Sequence, residues 1–231
     1  MTPRQDFRQV ITKELRALVP DATAIIFFGS RVQGLESPTS DYDIMVLAPT
    51  GVDLGERERI KKILNSTFPS VTLDLVFGSE RWMRANLGRE PHLRFWLENG
   101  VATYGRIPRF KPYPPFYKDA VEVQVGLIRA RMILIEGWSR TQYGAARGYL
   151  YLLKELTLIE LALKHDYRNE ALWREIETSV GSDLLTILRN PRFRHRIRKP
   201  MVERMNRLVS KKIKLVRRQL RTLNLPSLEP T

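Results

Sequence analysis

Gly29-Ser30, ten intervening residues and Asp41-Tyr42-Asp43 are residue types and spacings that could handle a phosphate and a metal ion. Side chains two apart on a strand point to the same side. Asp41 and Asp43 would therefore project together from the start of a strand. Asp74 lies in a later apolar run, Thr72-Leu73-Asp74-Leu75-Val76, where a charge is costly to bury. If the two strands are neighbours, three carboxylates converge, and they repel one another unless a cation sits among them. Hard divalent ions held by carboxylates and by substrate phosphates are Mg²⁺ sites. Two such ions about 3.5–4 Å apart clamp an in-line phosphoryl displacement. Gly29-Ser30 supplies the complement: glycine lets backbone N–H groups come close to phosphate oxygens. The Ser30 hydroxyl can add a hydrogen bond, and Arg31 can hold a phosphate in fork geometry. Alternatively, Asp41 and Asp43 solubilise a loop end and Asp74 is an edge-strand charge, which leaves the carboxylate inside an apolar strand unexplained.

These residues need elements to position them. Phe7, Val10, Ile11, Leu15 and Leu18 fall at helical spacing, so an amphipathic helix opens the chain and ends at Pro20-Asp21. Ala24 to Phe28 is a continuous apolar run closed by Gly29-Ser30, the pattern of a buried strand. Val32 to Ser40, with Gly34, Ser37, Pro38, Thr39 and Ser40, reads as a loop. A second strand is predicted over Tyr42 to Leu47, a helix over Leu54 to Phe68, and a third strand over Val71 to Phe77. A short helix over Pro91 to Glu98 and a last strand over Val101 to Tyr104 follow. Gly105 to Phe116 then carries Pro108, Pro112, Pro114 and Pro115, the composition of a stiff linker. Beyond it, helices are predicted over Asp119 to Trp138, Tyr143 to Lys164, Glu170 to Leu188 and Met201 to Leu223. The expected architecture is an α/β (α+β) N-terminal domain with a small mixed sheet over residues 1–106. A proline-rich linker at 107–117 and an all-α helical bundle at 118–231 complete it.

Composition narrows the chemistry further. The 231 residues include no Cys, which excludes a disulfide framework, a thiolate metal site and a cysteine nucleophile. Three His, at 92, 165 and 195, make a histidine-built zinc centre a poor fit. Hydrophobic residues at 43% and charged residues at 28% describe a globular chain. No apolar run nears the roughly 20 residues of a membrane span, and the N-terminus lacks a basic-then-apolar signal pattern, so a cytoplasmic location is expected. The net charge is +14, and fourteen Lys and Arg against one acid, Glu203, lie between Arg189 and Arg221. Such clustering is the footprint of a protein that meets phosphates, as in RNA; a solvated helix face is the plainer account.

Gly29-Ser30-Arg31, Asp41-x-Asp43 and the later strand Asp74 together resemble the signature of the nucleotidyltransferase superfamily related to DNA polymerase β, the minimal nucleotidyltransferases in particular. Phe95 to Gly105 is similar to the closing helix and strand of that domain, so the resemblance spans roughly residues 5–105. It implies a small mixed sheet, Asp41 and Asp43 as ligands of both metal ions, and Asp74 as ligand and base. It also implies Gly29, Ser30 and Arg31 as the holders of the triphosphate. The reaction implied moves an NMP, with ATP the expected donor and Mg²⁺ the expected ion, to an acceptor hydroxyl with release of pyrophosphate. An RNA or tRNA end is the favoured acceptor, by way of the basic segment Arg189 to Arg221. A protein hydroxyl, as in antitoxin-like relatives that adenylylate a toxin, and a small molecule are the alternatives. So is a nucleic-acid-binding module without catalysis.

The helical half carries fainter signals. Arg189 to His195 loosely fits the Arg–His spacing of HEPN ribonucleases, but Pro191 would interrupt the helix that motif needs. Glu136, Glu155 and Glu160 read as helix-surface salt-bridge partners rather than acceptor-orienting groups. Tyr143, Tyr149, Tyr151 and Trp138 could stack a base; core packing is the better reading.

Overall fold

The computed structural model describes residues 3–32 and 40–228, with side chains described from Phe7 onward. Most of the expected 32–40 loop, residues 33–39, lies outside the described residues, as does Glu229. The chain divides into two compact units, one of residues 1–86 and 96–112 and the other of residues 87–95 and 113–231.

The first unit holds a four-stranded mixed sheet, β1 (Ala24–Phe28), β2 (Tyr42–Leu47), β3 (Leu73–Gly78) and β4 (Val101–Gly105), in the order β3-β2-β1-β4. β1 pairs antiparallel with β2 and β4, and β2 pairs parallel with β3. β1 and β2 are central strands, which is why their sequences are nearly all apolar. β3 is an edge and alternates instead: Asp74 is exposed while Leu75 and Phe77 are buried. One sheet face, with Ile25, Phe27, Tyr42, Ile44 and Val46, joins Ile11 and Leu15 of α1 (Pro3–Leu18) in a single core. Ile60 and Leu64 of α2 (Leu54–Thr67) complete it. Asp53 caps α2 by accepting from the Glu56 N–H at 3.0 Å, replacing one missing helical partner.

The composition-based reading passes over a short helix, α3 (Glu80–Asn86). Its signal was Ser79, whose Oγ accepts from the Trp82 N–H at 3.1 Å. α4 (Pro91–Asn99) follows, and its Trp96 stacks on Phe28 with ring centroids 4.5 Å apart.

The second unit is built round α6 (Gln142–Leu163), most of whose residues are buried. α5 (Lys118–Trp138), α7 (Asn169–Val180), α8 (Ser182–Arg189) and α9 (Lys199–Thr222) make up the rest, with a 3₁₀ turn at Pro191–Arg196. The single helix predicted from Glu170 to Leu188 is in fact two. Gly181 sits at φ +90°, a conformation that ends α7 and that glycine alone adopts without strain. α8 stops at Arg189 ahead of Pro191, as the missing proline N–H requires.

Arg94 is fully buried in this unit without a carboxylate partner among the described residues. It donates from Nε to the Leu87 carbonyl at 2.7 Å, from Nη1 to the Tyr167 hydroxyl at 3.3 Å, and from Nη2 to the Pro114 carbonyl. Its guanidinium lies 3.5 Å from the Phe116 ring centroid. Those contacts tie residues 87–94 and the proline-rich stretch at 113–116 into the bundle.

Candidate active site

The site grows out of strand register. β1 ends at Phe28, whose partner on β2 is Asp43; Asp43 in turn lies beside Asp74 in the parallel β2–β3 ladder. Asp41, just before β2, shares the face of Asp43 by the two-residue alternation of a strand. One carboxylate oxygen from each of Asp41, Asp43 and Asp74 lies within 4.8 Å of the others. Asp41 and Asp43 are half-buried and Asp74 is exposed. The burial cost expected of a carboxylate in an apolar strand is therefore not incurred, and Asp74 is the edge-strand charge of the alternative reading. β3 is the edge strand, so this carboxylate reaches solvent at no burial cost, yet the register still brings it to the other two.

Gly29 closes the same corner. Its φ is +75°, in the left-handed region that other residues rarely adopt. A Cβ built there would fall on Asp43 Oδ2. The turn can lie against the carboxylate only because this residue has no side chain. Ser30 follows, half-buried, in the same turn.

Arg31 is held in place. Its Nε and Nη2 donate to the Ser40 carbonyl at 2.8 and 2.5 Å, and its guanidinium stacks 4.2 Å from the Tyr42 ring centroid. Arg8 Nη2 donates to the Arg31 carbonyl at 2.8 Å. Arg31 thus bridges the Gly29 turn to the entry of β2, and Arg8 braces it from α1. Neither contact could be read from the sequence, because Arg8 is 23 residues from Arg31 and no local pattern links them.

The donors gathered here are carboxylate oxygens on a partly exposed corner, with a glycine turn packed on one of them. That set suits a hard divalent cation such as Mg²⁺ and, through the turn, a phosphate. A carboxylate triad able to hold a metal ion thus stands at the edge of a small mixed sheet, beside a glycine turn. Residues 9–103 match the family described as "Nucleotidyltransferase domain". No curated protein matches the chain.

Among solved structures, a toxin–antitoxin with AMP-PNP is 24% identical, with 56% of this chain and 95% of that one covered at a TM-score of 0.34. A mutant of the toxin–antitoxin MntA–HpeT is 23% identical over 55% of this chain and 94% of that one, at a TM-score of 0.33. The tri-AMPylated Shewanella oneidensis HEPN toxin in complex with MNT antitoxin is 22% identical. That match covers 58% of this chain and 97% of that one at a TM-score of 0.33.

In the second unit Glu136, Glu155 and Glu160 have structural partners. Glu155 meets Arg131 at 2.9 Å. Glu160 pairs with Lys164 at 2.6 Å and with the buried Lys212. Burial alone would raise the Glu160 pKa, but the two lysines outweigh it and hold the carboxyl below its ordinary range. Glu136 accepts from Asn206 and from the Tyr149 hydroxyl. Burial, with the Glu136 charge beside it, pushes that phenol up to about 12. His195 is exposed, and Arg189 stacks 4.9 Å from the Trp173 ring centroid. Tyr149 is buried and Tyr143 packs on the core, as expected. Tyr151 and Trp138 are exposed, contrary to the core reading.

Among the described residues no helix is long and apolar enough to cross a membrane. Arg207, Lys211, Lys214, Arg218 and Arg221 of α9 are mostly exposed and are spaced four, three, four and three residues apart. At 100° per residue they form one stripe, about 21 Å long at the rise of a helix. Met205, Val209, Ile213, Val216 and Leu220 are buried in the core.

Proposed function

We propose that this chain transfers an NMP from a nucleoside triphosphate, ATP in the first instance, to an acceptor hydroxyl with release of pyrophosphate. The observation that carries the reading is the convergence of Asp41, Asp43 and Asp74 beside the Gly29 turn. Residues 1–106 serve as the catalytic domain and the bundle at 118–231 as the acceptor-binding domain, joined by 107–117.

Asp41 and Asp43 hold the divalent ions, two Mg²⁺, and Asp74 adds a ligand. When bound, such ions neutralise charge on the phosphates and on the leaving group. Gly29 and Ser30 present backbone N–H groups and a hydroxyl to the triphosphate. Arg31 adds its charge and fixes the turn against the entry of β2. Asp74, the most exposed carboxylate, accepts the proton of the acceptor hydroxyl. That oxygen bonds to the α-phosphorus as the bond from phosphorus to the bridging oxygen breaks. Pyrophosphate leaves with the electron pair.

An RNA end is the acceptor this reading favours. The support is the cationic stripe of α9, whose spacing suits a run of phosphates and whose contacts would be salt-sensitive. The test is incubation of the full chain with Mg²⁺, each α-³²P-labelled NTP in turn, total RNA and cell protein. A variant carrying Asp41→Ala and Asp43→Ala serves as control. RNase-sensitive label, absent with the variant, is the expected product. Protease-sensitive label would replace the RNA acceptor by a protein hydroxyl, and label that the variant also incorporates would overturn the site.

A further inference from the structure

α5 is apolar on two opposite faces. Val121, Val125 and Ile128 are buried in the bundle. On the other side Val123, Leu127, Ile133, Leu134 and Trp138 stand between 52% and 82% exposed. Val123, Leu127, Ala130, Leu134 and Gly137 follow one another at four, three, four and three residues, the spacing of a coiled-coil seam. Ala120, Gly126 and Trp138 flank that line, and no charged residue from 120 to 138 falls within 60° of its centre at 100° per residue. A helix apolar on two opposite faces is a helix meant to be covered on both.

The area fits a partner of protein size. The five side chains, each more than half exposed, leave apolar surface on the order of 300–600 Å². That is the size of the largest patch a monomer shows and about half of the ~800 Å² per partner of a standard interface. The small residues point the same way. Gly126 and Gly137 are poor helix formers, and a Cβ at either would meet nothing in this chain. Nothing in the fold asks for them, whereas a second helix in close approach would.

We infer that this face of α5 is the interface between two copies of the chain, paired antiparallel about a twofold axis through Ala130. Such a pairing sets Val123 of one copy over Gly137 of the other, and Leu134 over Gly126. Large meets small at these two steps and Leu127 meets Ile133 between them, and the pattern reads the same from either copy, as an isologous contact must. Arg131, at the margin, is paired within its own chain to Glu155, so the axis does not bring two free charges together. A lipid surface would use large side chains but would have no use for the glycines.

The chain has no Cys, which gives a clean test. Sedimentation of the full chain at tens of micromolar gives a dimer, and Leu127→Glu with Leu134→Glu gives a monomer whose Tm at low concentration is unchanged. Ala130→Cys oxidises to a covalent dimer across the axis, while Arg129→Cys, exposed off the seam, does not. A wild-type monomer, a dimer that survives both glutamates, or equal cross-linking at 129 and 130 would overturn the assignment. So would a monomer destabilised by the glutamates, which would show the face covered within the chain. Binding of the monomer to neutral lipid vesicles, lost in the glutamate variant, would assign the face to a membrane instead.

Discussion

The two units handle charge in opposite ways. In the first, three acids are gathered at one corner of a sheet, within 4.8 Å and with the same sign. In the second, the two buried acids are matched to cations: Glu155 with Arg131, Glu160 with Lys212 and Lys164. Matched charges hold a bundle together and need nothing else. Gathered like charges repel one another, and a ligand of opposite sign would relieve that repulsion. On the proposed function the contrast separates groups that serve structure from groups that serve chemistry, and it can be broken experimentally from either side.

The largest effect is expected at the corner. Gly29→Ala places a methyl group on Asp43 Oδ2 in a backbone conformation that alanine resists. Transfer activity should fall about 100-fold or more, with a modest drop in Tm from the strained turn. Activity within threefold of wild type would mean that the carboxylate can move without cost to the reaction.

On the structural side, Arg94→Ala removes a buried guanidinium and leaves the Leu87 and Pro114 carbonyls without their donor. The second unit should lose about 3 kcal/mol, read from denaturant unfolding. A loss below 1 kcal/mol would show that the contacts with Phe116 and the carbonyls are replaceable.

His92 sharpens the comparison through pH. Its Nε2 is shut from solvent. Burial, helped by the nearby charges of Lys154 and Arg131, pushes its pKa down to about 4, against about 6.5 for the free side chain. The folded state therefore binds a proton less readily than the unfolded state. The His92 contribution is intact above pH 6.5 and is lost progressively as pH falls from 6.5 toward 4. At pH 5 the loss should be about 2 kcal/mol, and His92→Asn should flatten that part of a plot of stability against pH. An unchanged slope would show that His92 keeps its ordinary pKa.

The smallest effect is expected at the α9 stripe. Lys211→Ala, Lys214→Ala and Arg218→Ala together should weaken single-stranded RNA binding about tenfold. The slope of log affinity against log salt should fall by about 2. No change in slope would make the stripe a solvated helix face.

Much of the frame was legible in the sequence because it rests on local patterns. The apolar runs of β1 and β2 are buried on both faces, and the observed bounds coincide with the expected ones. The two-residue spacing of Asp41 and Asp43 already implied a shared face. What joins Asp74 to them is the parallel pairing of β2 with β3, and no local pattern states which strands are neighbours. For the same reason the edge position of β3, and with it the exposure of Asp74, is only an alternative reading of the sequence. Gly181 was invisible as a helix break because a single glycine in an apolar-periodic run is often tolerated. Trp138 and Tyr151 read as core because aromatic side chains at helical spacing usually belong there; only the structure distinguishes the covered faces of α5 and α6 from the open ones.

The central claim is that the three gathered carboxylates exist for metal-dependent nucleotidyl transfer and not for the fold. Pyrophosphate release from ATP, measured with total RNA as acceptor for wild type and Asp43→Asn, tests it together with Tm in EDTA. The account predicts release that requires Mg²⁺, a loss of about 10³-fold in the variant, and a Tm in EDTA that is unchanged or higher because one repelling charge is gone. Release that persists in EDTA or in Asp43→Asn, or a variant that loses stability rather than activity, would contradict it.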